Sequence, residues 1–351
     1  MRLVDKFLFY NIAPRQVRYL SPLDYGKAEG LAGAAIDQME RDFVVGPPIT
    51  VHLPNPELMI GVWSLARECL AAGRERRAFG EVVAAAVSRL NTCPYCLDIH
   101  TSMLHSHGAP GVTEANAVAG WAAATLTPGA QVLANPPFPP AEAPPMVGAA
   151  VCFHYLNRMT NVFLDPSPFL IGGDGWIKAQ VVKMAGKLLR PRLASQTVVP
   201  GQFLNDAPEV SLPPEFAWAA PNPQIAGAVL RFVSAAEQAG SESIDRPVRE
   251  CVLEYVQAWR GETPGLGREW VEKAIATLDE HQRPAGRLAL ITALASYQVD
   301  ERLVTDFRSH KPSDRDLINL TSWASYIAAR RIASWLEPRR LQNSSLSANC
   351  S

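Results

Sequence analysis

Apolar positions recur three and four apart along most of the chain. Leu58 to Ala72, Ala78 to Leu90, Thr92 to His107, Val112 to Leu126, Met146 to Leu164 and Trp176 to Leu189 all carry this spacing, which is the period of one face of an α-helix. It resumes at Gln224 to Ala239, Asp245 to Arg260, Arg268 to Leu278, Ala285 to Tyr297 and Leu317 to Trp335. Period-two alternation is nearly missing. The best strand signal, Pro48-Ile49-Thr50-Val51-His52-Leu53, is too short and isolated to found a sheet. The pattern predicts an all-α protein.

Two Pro-rich stretches interrupt the helices, Pro128 to Pro145 and about Pro191 to Pro223. The second places a domain boundary: a helical domain over 1–190, a linker over 191–223, a second helical repeat over 224–340 and a Ser/Asn-rich tail over 341–351 expected to be disordered. A faint internal repeat supports the division. Arg158 … Phe163-Leu164-Asp165-Pro166 matches Arg330 … Trp335-Leu336-Glu337-Pro338, and Arg76-Arg77-Ala78-Phe79-Gly80 resembles Arg283-Pro284-Ala285-Gly286.

With 351 residues, 48% of them apolar and 19% charged, the chain can bury its core without disulfides or metal. A net charge of -1 gives no broad basic field for nucleic acid or an anionic membrane. The six cysteines are scattered except for one pair, which suits a reducing cytoplasm better than secretion. The first ten residues carry an acid early and read as no signal peptide, and no apolar run approaches a membrane span. The eight tryptophans are dispersed, mostly at helical positions, as in a core.

Chemistry concentrates in one place: Glu81 … Cys93-Pro94-Tyr95-Cys96-Leu97-Asp98-Ile99-His100. Pro94 suits the first turn of a helix, with Asn91, Thr92 or Cys93 as its cap. Both cysteines then sit at a helix N-terminus, where unpaired N–H groups and the macrodipole stabilise a thiolate. Cys93, Cys96, His100 and His107 share one helical face, and His105 points away. Glu81, on the preceding apolar helix, needs a partner there. An antiparallel helix pair joined near Asn91-Thr92 brings it to the level of His100. These groups suit dithiol peroxidase chemistry. One thiolate, with Cys96 preferred, attacks a hydroperoxide; Cys93 resolves the sulfenic acid to a disulfide and meets the reductant; Glu81 and His100 relay protons.

The run Glu81, Cys93-Pro94-Tyr95-Cys96, His100, with those spacings, resembles the alkylhydroperoxidase D (AhpD)-like branch of the carboxymuconolactone decarboxylase superfamily. The match covers about Leu58 to Gly108, and Val151 to Leu164 is similar to a later helix of longer members. The resemblance implies an all-helical fold, assembly into homo-oligomers and thiol-dependent peroxide reduction, with electrons from a lipoyl or thioredoxin-like dithiol partner. It places Glu81, Cys93, Cys96 and His100 at the proton-relay and redox positions. Tyr95 stands where the best-known peroxidase has a histidine. The second repeat lacks the site, reading Ser296-Tyr297-Gln298-Val299-Asp300 in its place.

Tyr95, His154 and Asn157 are candidate substrate contacts, although His154, beside Cys152 and Phe153, reads first as a core histidine. Arg158 could line the pocket or cap helix contacts. His105 and His107 should serve the helix end before Gly108-Ala109-Pro110. A structural zinc site is a rival use of the thiols and imidazoles, but one helix face does not wrap a tetrahedral ion. No nucleotide-binding or nucleophile-elbow pattern occurs in the right context, and the dithiol cycle needs no flavin, nicotinamide or metal. The competing classes are a noncatalytic redox-sensing scaffold and a decarboxylase-like enzyme independent of the thiols.

Overall fold

A computed structural model describes residues 13–72, 77–107, 111–169 and 175–336. The N-terminal decapeptide, Arg76, Gly108-Ala109-Pro110, Glu337-Pro338 and the Ser/Asn-rich tail lie outside them. Among the described residues the chain is all-α, with one isolated antiparallel bridge between Val17 and Leu164. No helix among them is long and apolar enough to cross a membrane.

The helices used below are α1 (Gly30–Asp42), α2 (Pro56–Ala66), α3 (Arg77–Leu90), α4 (Pro94–His107), α5 (Val112–Ala123), α6 (Ala143–Phe163) and α7 (Trp176–Ser195). They continue with α8 (Pro223–Ser243), α9 (Arg246–Ala258), α10 (Glu269–Ala274), α11 (Arg283–Ala295), α12 (Glu301–Arg308) and α13 (Asp314–Ala333). The helical periodicity foretold all of these except α1 and α12. The Pro48 to Leu53 segment forms a short helical turn and not a strand, and α7 runs through Pro191 to Ser195.

Helices α3 and α4 form an antiparallel pair, α6 packs across α3, and α7 covers α4. Helices from the earlier and later parts of the chain meet, α2 against α8 and α6 against α13, so one apolar core runs through both parts. Both α2 and α8 begin the same way. Asn55 and Asn222 cap them by accepting backbone N–H bonds, and a proline follows at the first helical position. Trp63, Trp121, Trp218 and Trp323 are fully buried as expected of a core, whereas Trp176 is 74% exposed.

The turn between α3 and α4 is built by the backbone. Cys93 N–H donates to Ser88 O at 2.9 Å and Thr92 N–H to Arg89 O at 3.2 Å, the double closure of a Schellman motif. That closure demands a left-handed residue, and Thr92 supplies it at φ 52. A β-branched side chain is strained there.

Because Thr92 is exposed and its side chain makes no hydrogen bond among the described residues, Thr92→Gly should raise unfolding free energy by about 1 kcal/mol; urea denaturation gives the value, and a loss of stability would contradict the strain. Gly240 of α8 lies against the indole of Trp323, which an added Cβ would overlap. Gly240→Ala should therefore destabilise by roughly 1–3 kcal/mol, read as a lower thermal midpoint.

Candidate functional site

Cys93 closes α3 and opens α4 at once. Its carbonyl accepts from Leu97 N–H at 3.1 Å, which makes it the cap among the three candidates, and the backbone N–H of Cys96 points at its sulfur. A thiol here takes the place of a serine hydroxyl at a helix start. The two sulfurs are hydrogen-bonded to one another as free thiols, and both residues are buried. For Cys96, burial alone would raise the pKa. A hydrogen bond from Cys93, the charge of His100 and hydrogen bonds from Thr160 and Asn157 outweigh it and draw the thiol down to about 7. Cys93 moves the other way, pushed up by burial and by its bond to Cys96.

Glu81 is fully buried on α3, and its Oε2 lies 2.6 Å from His100 Nδ1. With Nδ1 held by the carboxylate, Nε2 is the ring nitrogen left to exchange a proton. Phe153 of α6 braces the ring edge-on, at 4.4 Å between centroids and 78°. Glu81 Oε1 has no hydrogen-bond partner among the described residues.

The third wall is a polar stripe on α6, a helix otherwise buried among apolar side chains. Thr160 Oγ1 lies 3.5 Å from Cys96 Sγ. Asn157 donates to Ser88 Oγ at 3.0 Å and accepts from Asn91 Nδ2 at 3.0 Å, while its amide reaches both sulfurs. His154 bonds Thr125 Oγ1 at 2.8 Å and Asn91 at 3.1 Å, and Asn161 donates to Asn91 O at 3.1 Å. Asn91, at the end of α3, is thus gripped by three residues spaced along one face of α6.

A cavity of about 370 Å³ reaches Cys96 and His100. Trp63, Leu70, Ile99, Met103, Phe153, Leu156, Phe169 and Leu189 make most of its wall apolar, with Gln16, Tyr95 and Arg192 as further polar lining. Tyr95 lies in this wall and donates to Gln16 Oε1 at 3.2 Å. Gln16 is placed there by the bridge that ties Val17 to Leu164. His154 and Asn157 lie outside the lining: the first holds the turn, the second holds the sulfurs. Cys93, expected to meet a reductant, is 1% exposed and also outside the lining.

Sequence reasoning brought Glu81, Cys93, Cys96 and His100 together, and the structure places these four side by side. It missed Thr160, Gln16, Arg192 and the segment around Phe43. For Thr160 a signal existed, because His154, Asn157, Thr160 and Asn161 interrupt an apolar helix at helical spacing. Gln16 and Phe43 carry no local pattern and enter through tertiary packing. Arg158, read as pocket-lining or capping, is buried and donates to the Ala293 and His154 carbonyls at 2.7 and 2.5 Å.

Comparisons with known proteins agree with the geometry. The sequence profile described as the Carboxymuconolactone decarboxylase family matches residues 56–135. A protein of Mycobacterium tuberculosis (strain ATCC 25618 / H37Rv) named Alkyl hydroperoxide reductase Rv2159c is 32% identical over 336 residues, covering 91% of this chain and 95% of that protein. No solved structure matches.

The thiolate of Cys96 should grow in with a midpoint near pH 7 when its ultraviolet absorbance is followed against pH. Thr160→Val removes one hydrogen bond to the charged form, so the midpoint should move up by roughly half to one unit; Thr160→Ser should restore it. An unshifted midpoint in the valine variant would remove Thr160 from the set of stabilising groups.

Proposed function

Given that the chain belongs to the carboxymuconolactone decarboxylase family, we propose that it is a thiol-dependent peroxidase that reduces organic hydroperoxides through Cys93 and Cys96. The observation that carries the reading is that, among the described residues, the thiol drawn down to about 7 is also the one that faces the apolar cavity. A thiolate with a pKa near ambient pH combines population with nucleophilicity.

In this cycle the Cys96 thiolate attacks the terminal oxygen of the hydroperoxide. The O–O bond breaks, the alcohol leaves with a proton delivered from the His100 side, and Cys96 becomes a sulfenic acid. The Cys93 thiol, already hydrogen-bonded to Cys96, then attacks that sulfur, a disulfide forms and water leaves. One hydroperoxide consumes two thiols and yields alcohol, water and one disulfide. Glu81 holds His100 in the orientation that presents Nε2.

Restoring the dithiol needs two electrons from an external dithiol, for which a lipoyl or thioredoxin-like partner is the proposal. Attack on Cys93 would expel the better leaving group, the low-pKa Cys96 thiolate. The burial of Cys93 means that the Asn91–Cys93 turn has to open first. The relative named alkyl hydroperoxide reductase supports this activity class, and the apolar cavity supports substrates with an apolar body over hydrogen peroxide.

Cys96→Ser and His100→Ala should each lower hydroperoxide turnover with a dithiol reductant by at least 100-fold while helical circular dichroism stays unchanged. Cys93→Ser should still react once and leave a sulfenic acid on Cys96 that dimedone traps. Unchanged turnover in the first two variants would sink the assigned roles. A single stoichiometric oxidation in the native protein, without sustained turnover, would point to a redox sensor.

A further inference from the structure

The net charge of -1 conceals a local excess. Helix α7 carries three lysines and two arginines in its 20 residues and no acid. Its inner side is docked on the helix that bears the cysteines: Gly186 lies against the backbone of Ser102, and Lys178 Nζ pairs with Asp98 at 3.0 Å. Its outer side is not that of an ordinary solvated helix. Trp176, Ile177, Met184 and Leu188 are 74%, 58%, 58% and 72% exposed, four of the ten large apolar side chains found exposed among the described residues.

These side chains are ordered around the helix. At about 100° per residue, Ile177, Met184 and Leu188 fall within about 40° of one another, and Lys183, Lys187 and Arg190 within about 60° on the adjoining sector. Trp176 stands at the helix start. Apolar and basic sectors therefore run side by side along a rod of about 30 Å, the arrangement that suits the boundary between phosphate headgroups and acyl chains.

We propose that α7 docks the protein on an anionic lipid bilayer, with Trp176, Ile177, Met184 and Leu188 entering the interface and Lys183, Lys187 and Arg190 meeting lipid phosphates. The charge pattern selects this occupant. A bilayer supplies negative charge and apolar depth side by side along the whole rod, which matches the adjoining basic and apolar sectors. The same helix also lends Leu189 and Arg192 to the wall of the cavity that reaches Cys96, so docking would bring that cavity within about one helix diameter of the lipid.

The test uses the full chain and vesicles, without peroxide, so that it stands or falls apart from the redox reading. The native protein should co-sediment with vesicles of phosphatidylcholine mixed with phosphatidylglycerol at physiological salt, and far less with phosphatidylcholine alone. Lys183→Gln with Lys187→Gln should lower partition about 30-fold, at roughly fivefold per basic residue near an anionic surface. Met184→Ser with Leu188→Ser should lower it at least tenfold. All four positions are exposed, so both variants should keep native circular dichroism and elution volume. No binding by the native protein overturns the proposal, as does a loss confined to the lysine pair, which would mark diffuse adsorption. A native oligomer that the variants convert to single chains would overturn it too, assigning the face to contact between copies.

Discussion

A carboxylate sealed in an apolar interior must find a hydrogen-bond donor or give up its charge, and Glu81 finds its donor in His100 at 2.6 Å. That requirement fixes the register of α3 against α4, because the two residues meet only when the helices double back at Asn91–Cys93. The turn is held from two sides. The backbone closes on Cys93 through the strained Thr92, and α6 grips Asn91 through His154, Asn157 and Asn161. Once the register is set, Cys96 is left one helical turn from the imidazole and against Thr160.

The two sulfurs are chemically alike and end up different because their neighbours differ. Both are buried, which raises any thiol. Cys96 gathers the compensating groups: the Cys93 thiol, the His100 charge, Thr160 and Asn157. Cys93 serves as donor to its neighbour and keeps its proton. The division between an attacking and a resolving sulfur in the proposed cycle thus follows from hydrogen-bond direction within one pair. The apolar cavity adds access to one of the two only.

Helix α7 has two unlike faces. One is a wall of the redox pocket, seated by the close approach of Gly186 to α4; the other exposes apolar and basic side chains together. Net charge over the whole chain averages this contrast away, since acids elsewhere cancel the five cations of α7. Electrostatic attraction acts over about 8–10 Å in physiological salt, so the local balance on one helix matters more to a surface than the sum over the chain.

Local periodicity by itself determined the all-α architecture and the positions of the long helices, since burying a helical face needs apolar residues at 3.6-residue spacing whatever packs against it. It also marked Glu81, Cys93, Cys96 and His100, whose offsets within one helical hairpin place them together before any long-range contact forms. Helix α12 escaped notice because its eight residues span barely two turns, although Leu303, Val304 and Phe307 keep helical spacing, and α1 has no side-chain cap to mark its start. Tertiary structure alone decided that Thr160 stands against Cys96, that His154 and Asn157 serve the turn and the thiols and leave the pocket wall to Tyr95, Gln16 and Phe43, and that Trp176 faces outward. Those outcomes depend on groups brought from more than 60 residues away along the chain, such as Thr160 against Cys96, and no local spacing encodes them.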